Sequence, residues 1–132
     1  TKNMATRATI KIEGVDYVKI YKNFDGYPKG MTKWLSEFND RFNQERGHDA
    51  EYKFAQLLRF SMRYGDQYDL DSNEFTGWGV APYNSDCGEE YEYILTKDEL
   101  LIKDIYEDRV SRLYTRGDYS EVKTNRGVWR KL

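Results

Sequence analysis

Apolar and polar residues alternate along residues 7–22, and Gly14 interrupts the alternation near its middle. A period of two is typical of a half-buried β-strand, and a glycine between two such runs is typical of a hairpin turn. The pattern therefore predicts a β-hairpin. Residues 25–28, with the sequence Asp-Gly-Tyr-Pro, are predicted to form a turn, because glycine tolerates positive φ and proline ends strand pairing.

Two helical stripes follow this turn. Apolar residues at positions 31, 34, 35, 38 and 42 have the spacing of one helix face, and Gly47 stands where such a helix would end. A second stripe runs through residues 50–62, with Asp49 as the expected N-cap and Gly65 as the expected end. Because the link between the stripes is short, they predict an antiparallel helix pair that lies on a sheet.

The second half of the chain begins with an acidic loop at residues 66–76 and continues mainly with strands. Alternation and turn residues predict strands at Trp78–Tyr83, Tyr91–Thr96 and Leu100–Tyr106. Residues 109–114 are interpreted as a helical turn, and residues 121–124 are expected to pair with residues 128–130. The order ββααβββ predicts one α+β domain over residues 1–132, in which an antiparallel sheet carries two consecutive helices on one face.

Aromatic residues change the picture of the core. The chain has the length of one domain, 132 residues, and only about a fifth of them are Val, Ile, Leu or Phe. Its 12 tyrosines and 3 tryptophans compensate for this, because each such ring can bury roughly 150–250 Å². A core built largely on aromatic rings is therefore predicted.

The sequence also bears on the cellular location of the protein and excludes some kinds of site. No run of apolar residues has the length of a membrane span, and no signal peptide is apparent, so a cytoplasmic protein is expected. Residues 1–3 precede Met4 and are interpreted as a remnant added for expression. With one cysteine and one histidine, the chain can form neither an internal disulfide nor a Cys/His zinc site.

Charge is distributed unevenly. Residues 1–64 carry 12 basic and 8 acidic residues, residues 65–108 carry 2 and 13, and residues 109–132 carry 7 and 2. Two interpretations remain open: the segments neutralise one another on folding, or the acidic segment forms a face that meets a basic partner. The last segment is interpreted as a basic C-terminal extension.

No complete catalytic or metal-binding constellation is found. Asp69, Asp71 and Asn73 begin like a calcium loop, but Glu74 and Val80 stand where the required Gly and Glu should be. Asp86 and Glu89 could hold magnesium in a metal-assisted hydrolase, which is kept as a lesser alternative. Cys87 and His48 could pair as nucleophile and base only if the fold brought them together.

A nucleic-acid interpretation also arises, on the lysines and tyrosines of the predicted hairpin. The acidic balance of the whole chain argues against it.

The sequences of residues 5–12, 18–21 and 25–28 together resemble a group of small, mostly uncharacterised proteins of bacteriophages and prophages. Those proteins have a short N-terminal hairpin and then a His-Trp-Asp-Gly-Tyr-Pro-like turn before their helices. Here Asn23-Phe24 replaces the His-Trp pair, which weakens any transfer of an enzymatic role. Residues 77–80 and 90–93 also look like the closing strands of that group.

The resemblance implies a phage-derived accessory protein that acts by stoichiometric binding to a host factor, inhibitors of host defence such as anti-CRISPR proteins included. We therefore expect no catalytic residue, no metal and no cofactor, a host protein as partner, and no membrane association. The oligomeric state stays open, a homodimer included. The expected binding residues are Asp25, Tyr27, Trp78, Tyr83, Asp86, Glu89, Glu90 and Tyr91. The alternative is a small-ligand or nucleotide-binding protein, a signal sponge, with Tyr27, Trp78 and Tyr83 stacking a base.

Overall fold

Eight strands and two helices make up the part of the chain that the structure describes. This computed structural model describes the backbone of residues 6–64, 77–114, 121–124 and 127–130, and the side chains of residues 6–61 and 77–112. The elements are β1 (Ala8–Ile12), β2 (Val15–Lys22), α1 (Pro28–Arg46), α2 (Ala50–Tyr64), β3 (Trp78–Pro82), β4 (Tyr91–Leu95), β5 (Glu99–Asp104), β6 (Arg109–Tyr114), β7 (Glu121–Thr124) and β8 (Gly127–Arg130).

The strands form one sheet in the order β3-β2-β1-β4-β5-β6-β7-β8. The predicted α+β class is confirmed, and so is the hairpin of β1 and β2, which turns at Gly14 with φ 99°. One pairing differs from the predicted antiparallel sheet, because β1 and β4 are parallel. The chain leaves β3 at the sheet edge, crosses β2 and β1 through residues 83–90, and enters β4 in the same direction as β1. We call residues 83–90 the crossover loop.

Both helices begin and end near the predicted positions. Pro28 occupies the first turn of α1, where its fixed φ suits a helix and its missing N–H is not needed. Gly47 ends α1 with φ 67°, and its N–H donates to the carbonyl of Asn43 at 2.9 Å. The second helix follows after a short link, as the stripe of residues 50–62 predicted.

The core lies between the helices and one face of the sheet. Helix α1 contacts β4 and β5, and α2 contacts β1 and β2. Apolar residues from both layers form one buried cluster, which includes Ile10, Ile20, Met31, Leu35, Leu57, Tyr93, Leu95, Leu100 and Ile102. On the opposite face of the sheet, Thr9 and Lys19 are also buried, and the Lys19 ammonium donates to the Ser85 carbonyl of the crossover loop.

Residues 109–114 form strand β6, so their interpretation as a helical turn was wrong. Strand β6 pairs with β5 along its whole length, from Arg109 opposite Asp104 to Tyr114 opposite Glu99. Six residues are too few to distinguish the period of a strand from that of a helix. The segment is a strand because it forms backbone hydrogen bonds with β5. The predicted pairing of residues 121–124 with the segment after them is confirmed by β7 and β8.

Other predictions fall partly or wholly outside the described residues. These are the acidic loop at residues 66–76 with its calcium-like pattern, the remnant at residues 1–3, and the side chains of most of the basic extension. Neither described helix has the length and apolarity needed to cross a membrane.

Candidate functional site

One end of the sheet gathers segments that are far apart in the chain. Ala8 lies level with Lys22, Tyr91 and, through the adjacent strands, with Trp78 and Asp104. Beyond this level, three connections emerge side by side: residues 23–27 after β2, residue 90 before β4, and the turn at residues 105–108 between β5 and β6.

Backbone hydrogen bonds fasten these connections to one another and to the start of β1. The N–H of Gly26 donates to the Thr6 carbonyl at 2.9 Å, and that of Glu90 donates to the Arg7 carbonyl at 2.9 Å. The N–H of Ile105 then donates to the Glu90 carbonyl at 2.8 Å. Because main-chain bonds hold all three connections, their side chains project from a fixed frame.

Most side chains that these connections present to solvent are acidic or apolar, although Asn23 is exposed there as well. We call seven of them the acidic end: Asp25, Tyr27, Glu90, Ile105, Tyr106, Glu107 and Asp108. Glu90 is half-buried and the other six are exposed. Tyr106 is 75% exposed, Tyr27 43% and Ile105 36%, which is high for large hydrophobic residues. Among the described residues, none forms a salt bridge with the four carboxylates of this set. The acidic end therefore combines carboxylates that form no salt bridge with a described residue with solvent-exposed tyrosine rings.

The turn at residues 25–28 has a structural reason for each residue type. Asp25 adopts a positive φ of 57°, which Asp tolerates better than most residues. A Cβ on Gly26 would lie 2.6 Å from that of Ala8, so only glycine fits against β1. The buried Tyr93 hydroxyl donates to the Gly26 carbonyl at 2.6 Å, and burial raises the pKa of that hydroxyl. This packing leaves Tyr27 at the surface, directly before α1.

Besides Glu90, three expected binding residues lie in the crossover loop. Tyr83 faces the sheet, with the Lys11 ammonium 4.2 Å from the centre of its ring. The Asp86 carboxylate accepts a hydrogen bond from the Gly88 N–H at 2.8 Å, and the Glu89 carboxylate accepts one from the Cys87 N–H at 3.3 Å. Both carboxylates thus stabilise the backbone of their own loop.

The two chemical alternatives, a metal site and a pair of Cys87 with His48, have little support in the described residues. In the described parts of the chain, no three His, Cys, Asp or Glu side chains are grouped so that they could hold a metal ion. His48 bonds to the Glu13 carbonyl beyond the far end of β1. Gly88, next to Cys87, lies beside Arg7 at the near end. The two candidate catalytic side chains are therefore at opposite ends of that strand.

The remaining two expected residues are less exposed. Trp78 is buried in the core, edge-on to Trp34 at 5.8 Å between ring centres. Tyr91 is half-buried at the base of the acidic end, and burial, then the charges of Asp104 and Glu90, raise the pKa of its hydroxyl. Four of the eight expected residues thus meet at one end of the sheet. Tyr27, Trp78 and Tyr83 do not converge on a common stacking site.

A groove between α1 and α2 was missed at the sequence level. Its volume is about 440 Å³, and its apolar walls come from Trp34, Phe38, Phe42, Tyr52 and Phe60. The centre of the Phe38 ring is 5.9 Å from that of Phe42 and 5.8 Å from that of Phe60. The sequence did contain an indication of this groove. A second set of residues on α2 has helical spacing beside its core stripe: Tyr52, Gln56, Arg59 and Phe60.

A buried lysine was also missed. Lys53 is fully buried, and its ammonium contacts the Asn43 side-chain oxygen at 2.9 Å, His48 Nδ1 at 3.1 Å and the Thr96 carbonyl at 3.3 Å. Burial lowers the pKa of Lys53 to about 7, against a smaller opposite effect of Glu13. The burial of Lys53 could not be predicted from the sequence, since lysines normally lie at the surface.

Comparisons with known proteins identify no relative. No family model, no curated protein and no solved structure matches the chain.

Proposed function

We propose that this protein acts by stoichiometric binding to a protein partner, and that the acidic end is its recognition surface. The observation that carries the proposal is the grouping of exposed Tyr27, Ile105 and Tyr106 with four carboxylates on connections fixed to the sheet. The sequence resemblance supports a phage- or prophage-encoded accessory protein, and hence a host factor, such as a component of a defence system, as the partner.

The chemistry of the acidic end suits protein recognition. Exposed tyrosines are enriched among residues that dominate binding free energy, because they bury a large area at a small entropic cost. The surrounding carboxylates would attract a basic surface and speed association. The partner surface is therefore expected to be basic, with an apolar centre.

The fixed backbone of the acidic end favours affinity as well. Gly26, Glu90 and Ile105 are each held by a main-chain hydrogen bond. A surface that is ordered before binding loses little conformational entropy on association. In this proposal the protein binds its partner and catalyses no reaction.

Affinity capture from bacterial lysate tests the proposal. The wild-type protein is compared with Tyr106→Ala/Glu107→Lys at the acidic end. The matched control is Asp16→Lys/Tyr17→Ala, which makes the same kinds of change on exposed residues at the start of β2, the opposite end of the sheet. We expect a partner near equimolar amount with the wild type and the control, and its loss with the acidic-end variant.

Salt provides a second readout, because the Debye length falls from about 30 Å at 0.01 M to about 8 Å at 0.15 M ionic strength. Capture should therefore weaken as salt rises. Equal capture by all three proteins, or no near-equimolar partner with any of them, would exclude the acidic end as the recognition surface.

A further inference from the structure

The groove between α1 and α2 has the size and lining of a small-molecule site. Its volume of about 440 Å³ lies within the range of roughly 300–1,000 Å³ that is usual for ligand pockets. Four of its aromatic rings, those of Phe60, Phe38, Phe42 and Tyr52, form a continuous series, since Phe42 also lies 5.8 Å from Tyr52 between ring centres. Such walls offer stacking surfaces to a flat ring.

Guanidinium groups stand at the rim of these walls. Arg59 lies 5.0 Å from the centre of the Phe60 ring and Arg46 lies 4.4 Å from that of Tyr52. Arg46 has only a long contact of 3.9 Å to Asp49, and Arg59 has no salt bridge to any described residue. Arg59 is therefore available to an anionic group, for which a guanidinium is well suited.

Charged and polar side chains also line the groove, among them the carboxylates of Glu37 and Glu45. Gln56 lines it from α2, and its amide can both donate to and accept from the edge of a heterocycle. Of the two carboxylates that line the groove, Glu45 is paired with Arg41 at 2.8 Å. Aromatic walls, one amide and a guanidinium that forms no salt bridge with a described residue match a flat heterocyclic ring that carries a negative charge.

A second copy of this chain is a poor fit for the groove. A two-fold interface centred on the groove would place the same concave surface against itself and leave the space between the copies empty. The occupant should be a convex molecule of matching volume.

We propose that this groove binds a free nucleotide, with its base against the aromatic walls and its phosphate on Arg59. The site lies between the helices, whereas the acidic end lies beyond the strands, so this inference does not rest on the proposed function.

Tryptophan fluorescence measures this binding, because Trp34 lines the groove. The full chain is titrated with AMP, GMP, cyclic AMP and cyclic di-GMP. We expect saturable quenching by at least one of them. Arg59→Glu should weaken that affinity roughly tenfold or more, since it replaces a charge-assisted contact with repulsion. Tyr52→Ala should weaken it by about fivefold or more.

Lys33→Glu is the matched control, since Lys33 is exposed on α1 and does not line the groove. It should bind as the wild type does. Far-UV circular dichroism and the melting temperature of each variant show whether it is folded. If no nucleotide gives saturable quenching at concentrations up to about 1 mM, the proposal is overturned. A dissociation constant above about 1 mM is too weak to indicate a specific site. Equal affinity of folded Arg59→Glu and Lys33→Glu would overturn the proposal too.

Discussion

At the scale of single residues, Lys53 shows how an ionisable group can be part of a core. Its ammonium has three hydrogen-bond acceptors, which come from α1, from the link between the helices and from the end of β4. These contacts offset part of the cost of removing the charge from water. The remaining cost appears as the lowered pKa, about 7.

The lowered pKa predicts that stability rises with pH above about 7. Below that value the amine is charged in both the folded and the unfolded chain, so the cost of burying the charge is present in full. Between about 7 and the ordinary value of 10.5, the unfolded chain binds a proton that the folded chain releases. The free energy of unfolding should therefore increase by up to about 1.4 kcal/mol per pH unit.

Urea denaturation between pH 7 and 9 measures this slope. Lys53→Met removes the titrating group and should flatten the slope, whatever it does to absolute stability. A variant with the slope of the wild type would show that Lys53 does not cause it.

Gly26 offers a second test at the residue scale. A Cβ at this position would lie 2.6 Å from the Cβ of Ala8 and 3.0 Å from the carbonyl oxygen of Thr6. Since β1 cannot move without disturbing the core, Gly26→Ala should lower the free energy of unfolding by about 1–3 kcal/mol. Thermal or urea denaturation gives the value.

Gly30 is the matched control for Gly26. It lies in α1, and a Cβ there would have no atom within 4 Å. Gly30→Ala should therefore raise stability by roughly 0.5–1 kcal/mol, because alanine favours the helix. Equal effects of the two substitutions would contradict the close packing of the turn on β1.

At the scale of elements, two asparagines attach α1 to the turn between β4 and β5. The Asn39 amide donates to the carbonyls of Thr96 and Glu99 at 3.1 and 3.2 Å, and that of Asn43 donates to the Lys97 carbonyl at 2.8 Å. Asn39 is fully buried, so these bonds are sheltered from water and fix the position of the helix along the sheet.

Asn39→Ala should cost about 1–3 kcal/mol of stability, because it removes two buried hydrogen bonds, each worth about 0.5–1.5 kcal/mol. Gln44→Ala is the control: Gln44 is exposed on the same helix and bonds only to Asp40, so its loss should cost less than about 0.5 kcal/mol. Hydrogen exchange should also become faster at residues 96–99 in the Asn39 variant. Unchanged exchange there would argue against the attachment.

The elements show what sequence periodicity could and could not predict. Both helices and the first hairpin were predictable because their patterns are long and end at Gly14 and Gly47. Strand β6 was not, because it is short and owes its form to β5. The parallel pairing of Ala8 with Tyr91 joins residues far apart in the chain, and no local pattern encodes such a partner.

For the same reason, only some of the expected binding residues could be placed from the sequence. Asp25, Tyr27 and Glu90 were expected from charge, aromatic content and resemblance, and the sheet brings them together. The burial of Trp78 under Trp34 depends on how α1 crosses the sheet, which sequence does not give. The groove arises only where two helices meet, so its lining could be recognised as a second stripe but not as a cavity.

At the scale of the whole molecule, the described residues show how part of the charge along the chain is arranged. Three acidic residues on β4 and β5 are paired: Glu92 with Lys11 at 3.1 Å, Asp104 with Arg109 at 3.6 Å and Glu99 with Arg112 at 3.2 Å. Glu90 and Glu107, which lie between strands, have no such partner among the described residues. Local neutralisation and an acidic surface therefore coexist in different parts of one segment.

The native mass of a purified complex shows whether the acidic end holds a partner in fixed stoichiometry. The partner recovered by affinity capture is mixed with the wild-type protein at equal concentration, and the mass is measured by light scattering or native mass spectrometry. We expect one discrete complex of fixed stoichiometry that Tyr106→Ala/Glu107→Lys abolishes and Asp16→Lys/Tyr17→Ala retains. A complex that survives the change at the acidic end, or a mixture without fixed stoichiometry, would contradict the proposed function.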